Sequence, residues 1–188
     1  MSEKRSSRDR FVETTAGLLH ESGYHATGIN QIIEKSGAPR GSLYFHFPQG
    51  KDQLVCEALK FSGDQVLRIL DSIERGTPAA NIVRHIFGAF KTILLESKLS
   101  KGCPIAVTAL ETGGDHPEIG RVIADVHQSW LKTISEHLAH EIKEAPRRKQ
   151  MASNLLSLCE GALVQVQMAR SIKPLDDAMK LALAIVKQ

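Results

Sequence analysis

Apolar residues recur every three or four positions along most of the chain, and no segment shows the strict alternation of a half-buried strand. Phe11, Thr15, Leu18, Leu19 and Ser22 share one face of a first predicted helix, about Ser7 to Ser22, with Gly23 suited to the left-handed residue past its end. Ile29, Ile32 and Ile33 stripe a second helix, and Thr27 stands where an N-cap hydroxyl is wanted. Ser36-Gly37-Ala38-Pro39 ends that helix and opens a short third one, about Pro39 to His46, whose Leu43 and Phe47 face the core. After Pro48-Gln49-Gly50, a long stripe from Leu54 through Ile73 predicts a fourth helix from Lys51 to about Arg75.

Thr77-Pro78 reads as cap and first turn of a fifth helix reaching about Ser97. Lys98 to Cys103 reads as a loop, and PIAVTALET from Pro104 as a short sixth helix closed by Gly113-Gly114. Asp115 and Pro117 start a seventh helix to about Glu144, with Ile119, Val126, Trp130, Ile134 and Leu138 inward. The eighth, about Arg147 to Ser171, is apolar over much of its circumference, as expected of a helix buried on more than one side. Leu175, Ala178, Met179, Ala182, Ile185 and Val186 stripe the last. The predicted fold is all-α with about nine helices, divided into residues 1–50 and residues 51–188.

The 188 residues are enough for a substantial core. The net charge of +3 is only mildly basic, but residues 1–51 hold seven basic and five acidic residues, so most of the excess sits in the first quarter. Three widely spaced cysteines without a CxxC argue against a disulfide framework and for a reducing cytosol. The polar start MSEKRSSRDR has no signal-peptide core, and no apolar run is of bilayer-spanning length. The expectation is a cytoplasmic protein with no membrane partner. No GxSxG, HExxH or phosphate-binding glycine loop occurs, so neither an enzyme nor a cofactor is expected.

The chemistry concentrates between Thr27 and Lys51. Arg40 can offer a fork of donors to a guanine edge in a major groove. Gly41 lets the backbone come close, and Ser42 and Tyr44 can bond phosphates or base edges. Asn30 and Gln31 can touch backbone or base. Thr27 and Lys51 stand at helix starts, where backbone N–H groups also face anions. His46 suits either a phosphate contact or packing at the helix end. Residues 1–7 fit either a plain terminus or a basic arm along DNA.

The order of Thr27, Ile32, Gly37, Gly41-Ser42-Leu43-Tyr44, His46-Phe47 and Lys51 resembles the DNA-binding region of the TetR family of bacterial transcriptional regulators, over roughly residues 8 to 55. The wording GAPRGSLYFHFPQGK and the later KGCPIAVTALET resemble its LmrA/YxaF subgroup. The resemblance implies a homodimeric repressor that binds a double-stranded DNA operator and is released by a small planar or drug-like effector. It implies Tyr44 and Lys51 on phosphates, Arg40 and Ser42 toward the groove, and the last two helices in a four-helix dimer interface.

The apolar surface of those two helices also points to a dimer, with Leu155, Leu158, Gly161, Ala162, Met179, Ala182, Ile185 and Val186 as candidates. The alternative is that they are monomer core. Candidates for an effector pocket are Phe87, Phe90, Trp130, Leu131, Ile134, Val164 and Met168, with His127 and Gln165 as polar members. Cys103, beside a helix start, suits a pocket thiol or a redox sensor. The pairs His137 with Glu141 and His140 with Glu144 allow a metal site or a solvated face. A redox- or metal-responsive regulator, and a small helical ligand-binding protein or enzyme without a DNA role, are the rival classes.

Overall fold

A computed structural model describes residues 5–187, and residues 1–4 of the expected basic arm lie outside it. Among the described residues there are nine α-helices and no strand. They are α1 (Ser7–Ala26), α2 (Ile29–Ser36), α3 (Arg40–His46), α4 (Lys51–Asp71), α5 (Ala79–Glu96), α6 (Pro104–Thr112), α7 (Pro117–His137), α8 (Ala145–Ala169) and α9 (Lys173–Ile185). A 3-10 turn, Leu138–His140, ends α7 earlier than its periodicity suggests, and α4 stops at Asp71 rather than Arg75. Pro78 takes the cap position before α5, and no side chain caps that helix, so Thr77 does not play its expected part.

The chain forms two compact units, Met1–Asp64 with Pro104–Val126, and Gln65–Cys103 with His127–Gln188. In the first, α1 is the hub, against which α2, α3 and α6 all pack. Phe11, Val12, Leu18, Ile32, Ala38, Leu43, Phe47 and Leu54 form its core. Phe11 meets Phe47 edge to face, with ring centroids 6.3 Å apart, a favoured aromatic geometry. Only Ile32 of the α2 stripe is fully buried, because an eight-residue helix presents one turn to α1 while Ile29 and Ile33 flank the core. Gly37, at φ 60°, makes the left-handed cap between α2 and α3, and its carbonyl accepts from Arg10 at 3.0 Å.

Gly63 and Val126 mark a close helix approach in this unit. A Cβ on Gly63 would lie 2.7 Å from a Val126 methyl, well inside contact distance. In the second unit α9 packs on both α5 and α8. Phe87, Leu94, Trp130, Ile134, Leu155, Leu163, Val166 and Leu175 are buried there, and Lys91 donates to Asp176 at 2.7 Å.

Gly63→Ala is expected to destabilise the protein by about 1–3 kcal/mol through overpacking. The loss should shrink in a Val126→Ala background, measured by urea unfolding of the four proteins of the cycle.

Candidate nucleic-acid interface

The reading face is built on a short helix held from behind. Leu43 and Phe47 are fully buried, so the orientation of α3 is set by packing rather than by loop geometry. The opposite face presents Arg40, Gly41, Tyr44 and Phe45, all exposed. The Arg40 guanidinium donates to Asn30 Oδ1 at 2.8 Å, which ties α3 to the start of α2 and limits where that charge points. Tyr44 is 52% exposed, with its ring open to solvent. Gln31 of α2 is half-buried.

Several predicted contacts are placed differently. Thr27 is fully buried, and its hydroxyl donates to Gly23 O at 2.6 Å. The cap position of α2 belongs to Gly28, which offers no side chain. Thr27 therefore closes the end of α1 and is not turned toward a phosphate. The Ser42 hydroxyl donates to Pro39 O at 2.6 Å, within its own helix start, so its proton is directed inward. His46 Nε2 lies 3.0 Å from Ser7 Oγ. The Lys51 ammonium donates to Tyr24 O at 2.8 Å and sits 3.9 Å from the centroid of the Tyr24 ring. Burial pushes that ammonium's pKa down, against the charges of Asp52 and Glu111. Lys51 thus holds the end of α1 in this conformation.

A polar clamp surrounds this point, and its members are far apart in sequence. Gly23, at φ 74°, breaks the helical ladder of α1, and the final turn Tyr24-His25-Ala26 starts afresh. The amide groups of that turn need new acceptors. Glu111, from the end of α6, supplies them: its carboxylate accepts from Tyr24 N–H and, at 3.2 Å, from His25 N–H. A Cβ on Gly23 would run into that carboxylate. Tyr24 then donates its hydroxyl to Asp52 Oδ1 at 2.6 Å, while His116 Nδ1 lies 2.8 Å from Asp52 Oδ2. Burial pushes the Asp52 carboxyl up, but the hydrogen bonds from Tyr24 and His116 and the nearby positive charge outweigh it, leaving the group below the ordinary range. Burial and the Asp52 carboxylate push the Tyr24 phenol up. Glu111 and His116 escape a local reading because nothing near them in sequence announces a partner at Tyr24.

The second unit holds a small apolar cavity of about 20 Å³, far below the few hundred Å³ that a small-molecule site fills. Phe87, Phe90, Trp130 and Ile134 line it, and so does Leu155, which is thereby core and not dimer surface. Leu131 is half-buried and is not among the lining residues. Half-buried Cys103 donates weakly to Glu160 Oε1 at 3.9 Å. Burial pushes the Glu160 carboxyl up, opposed by nearby His127 and by Cys103. Glu160, next in sequence to the cavity-lining Cys159, is a polar residue that periodicity did not single out. Burial also raises the Cys56 and Cys159 thiols. Among the described residues no group of three His, Cys, Asp or Glu could hold a metal ion.

Three pocket candidates face the other way. Val164, Gln165 and Met168 are exposed on the outer side of α8, Met168 by 80%. With half-buried Leu158 and exposed Gly161 they form a stripe at helical spacing, beside exposed Leu181 of α9. Ala162 and Ala182 are instead buried between the helices of their own unit, because their small side chains let α8 and α9 close together. Met179, Ile185 and Val186 are half-buried on α9.

This fold, with a buried-backed short helix presenting basic and aromatic side chains, defines a helix-turn-helix DNA-binding regulator. Residues 11–58 match the model of bacterial regulatory proteins of the tetR family, and residues 79–181 match the C-terminal domain of LmrA/YxaF-like transcriptional regulators. An uncharacterised HTH-type transcriptional regulator of Mycobacterium tuberculosis (strain ATCC 25618 / H37Rv) is 32% identical over 175 residues, 90% of this chain and 88% of its own. The HTH-type transcriptional regulator LmrA of Bacillus subtilis (strain 168) is 28% identical over 170 residues, 90% of each chain. A TetR transcriptional regulator from Legionella pneumophila has the same fold, with a TM-score of 0.86 at 18% identity, over 96% of this chain and 97% of that one. The chain belongs to the TetR family of bacterial transcriptional regulators, in its LmrA/YxaF-like branch, and the family is one of regulators, not enzymes.

The depressed Asp52 carboxyl fixes the sign of one pH effect. Its folded pKa lies below the unfolded value near 3.9, so its stabilisation is complete above that pH and is lost as pH falls through the folded value. The urea midpoint of the wild type should therefore fall more steeply between about pH 5 and about pH 2 than that of Asp52→Asn. Equal slopes would show that the Tyr24 and His116 contacts do not act on the carboxylate.

Proposed function

We propose that this protein is a homodimeric, effector-released transcriptional repressor that acts on a two-half-site DNA operator in the cytoplasm. The observation that carries the reading is the α3 face, where Arg40, Tyr44 and Phe45 stand exposed on a helix locked by Leu43 and Phe47. A module of this size reads few base pairs, so specificity asks for two copies with their third helices in successive major grooves. The stripe of Leu158, Gly161, Val164, Gln165 and Met168 supports α8 as the face that joins them. Within it Val164 and Met168 are apolar and exposed one helical turn apart, as suits a face that a partner covers.

The effector would enter the second unit by opening the apolar cavity bounded by Phe87, Phe90 and Trp130, with Glu160, His127 and Cys103 able to orient its polar groups. A ligand shifts the DNA-binding equilibrium only by its differential affinity for the two conformers. The chain itself supplies a route for the change, because Cys103 is joined directly to Pro104, the first residue of α6, and α6 ends at the Glu111 clamp on the reading head.

Two outcomes follow from this reading. Arg40→Ala and Tyr44→Ala should each weaken binding to a duplex selected from a random pool by at least about tenfold, since one good base or phosphate contact is worth about 1–3 kcal/mol. Both should remain dimers by sedimentation, and unchanged gel shifts for both would sink the DNA assignment. Met168→Glu should convert the dimer to monomer by sedimentation and weaken DNA binding with it, while the far-UV circular dichroism keeps its helical content and the thermal midpoint loses its dependence on protein concentration.

A further inference from the structure

Phe45 is the most exposed aromatic side chain among the described residues, at 82%. It follows Tyr44 on α3 and stands one helical turn after Gly41. A helical side chain leans toward the N-terminus and covers the turn before its own Cα. Here that turn carries a glycine, and nothing lies within 4 Å of where its Cβ would be. The ring stands largely in solvent, in edge-to-face contact with His46 at 5.1 Å between centroids. Its neighbours on the face, Arg40 and Tyr44, are hydrogen-bonding groups. The buried anchors Leu43 and Phe47 fix which way the ring points. In this unit it serves no core, and an apolar group so placed has value only against an apolar group of the partner.

The major groove of B-DNA offers one such group at a base edge, the thymine 5-methyl. We propose that Phe45 is a specificity-determining residue that reads a thymine 5-methyl in each half-site, while Arg40 and Tyr44 make the polar contacts around it. The proposal rests on the reading of α3 as a DNA-binding helix. It goes further by assigning a base, and one atom of that base, to a residue whose apolar character gives no hydrogen-bonding reason to expect a base contact.

The test uses the full-length dimer and the duplex it selects from a random pool. Each thymine is replaced in turn by deoxyuridine, which removes the methyl and keeps every hydrogen-bonding group. One buried carbon is worth about 0.8 kcal/mol, so the wild type should lose about fourfold in affinity when the cognate thymine of one half-site is replaced, and more when both are. Phe45→Ala should bind the thymine and deoxyuridine duplexes equally, and Phe45→Leu, which keeps an apolar tip, should retain part of the discrimination. An unchanged thermal midpoint for both variants, expected for an exposed position, shows that the fold is intact. The proposal is overturned if no deoxyuridine substitution weakens the wild type, or if the same thymine matters as much to Phe45→Ala. Failure of the wild type to select any duplex would defeat the DNA-binding reading itself, and this proposal with it.

Discussion

The Glu111 carboxylate, seated over Gly23 and accepting from the Tyr24 and His25 amides, is the contact on which the reading head depends. A helix broken by a left-handed residue must find new acceptors for the amides beyond the break, and a carboxylate is the strongest acceptor a side chain offers. Four segments converge on this one turn. Thr27 bonds Gly23 from the chain that leads to α2. Lys51 bonds Tyr24 from the start of α4. Glu111 and His116 come from α6 and the approach to α7. The end of α1 is thereby fixed to α4 and α6 together, and α2 and α3 follow it in the chain.

The arrangement explains why residues that look like DNA ligands in the sequence are turned inward. Thr27 and Lys51 sit at helix starts, a favourable place for phosphate, but the break at Gly23 creates a nearer demand for their donors. Arg40, Gly41, Tyr44 and Phe45 stay exposed on α3, with exposed Asn30 of α2 accepting from the first of them. A small exposed set on a rigidly backed helix fits recognition, because the entropy of ordering the face is already spent in folding.

Most of the helices were legible from periodicity, since each buries one stripe against neighbours and the stripe repeats locally. The boundaries that escaped are those where local and tertiary demands differ. α1 continues past Gly23 because Glu111 satisfies the amides beyond it, and α7 gives way to a 3-10 turn at Leu138 although its apolar spacing runs on. The reading helix was legible because short-range chemistry defines it. The clamp was not, because Tyr24, Asp52, Glu111 and His116 span 92 residues between the first and the last, and no local pattern joins them. Which apolar residues of α8 face inward was likewise undecidable from a helix apolar on nearly all sides. Leu155 and Ala162 turn in, and Val164 and Met168 turn out.

Amide hydrogen exchange at Tyr24 and His25 tests this account most directly, comparing the wild type with Glu111→Gln. If the carboxylate holds the broken turn, both amides are strongly protected in the wild type and exchange at least about tenfold faster in the variant, one pKa-sized step of about 1.4 kcal/mol in local stability. Amides in the middle of α5 should be unaffected. Protection at Tyr24 and His25 that is the same in both proteins would show that the turn stands without Glu111, and would contradict the claim that α6 holds the reading head.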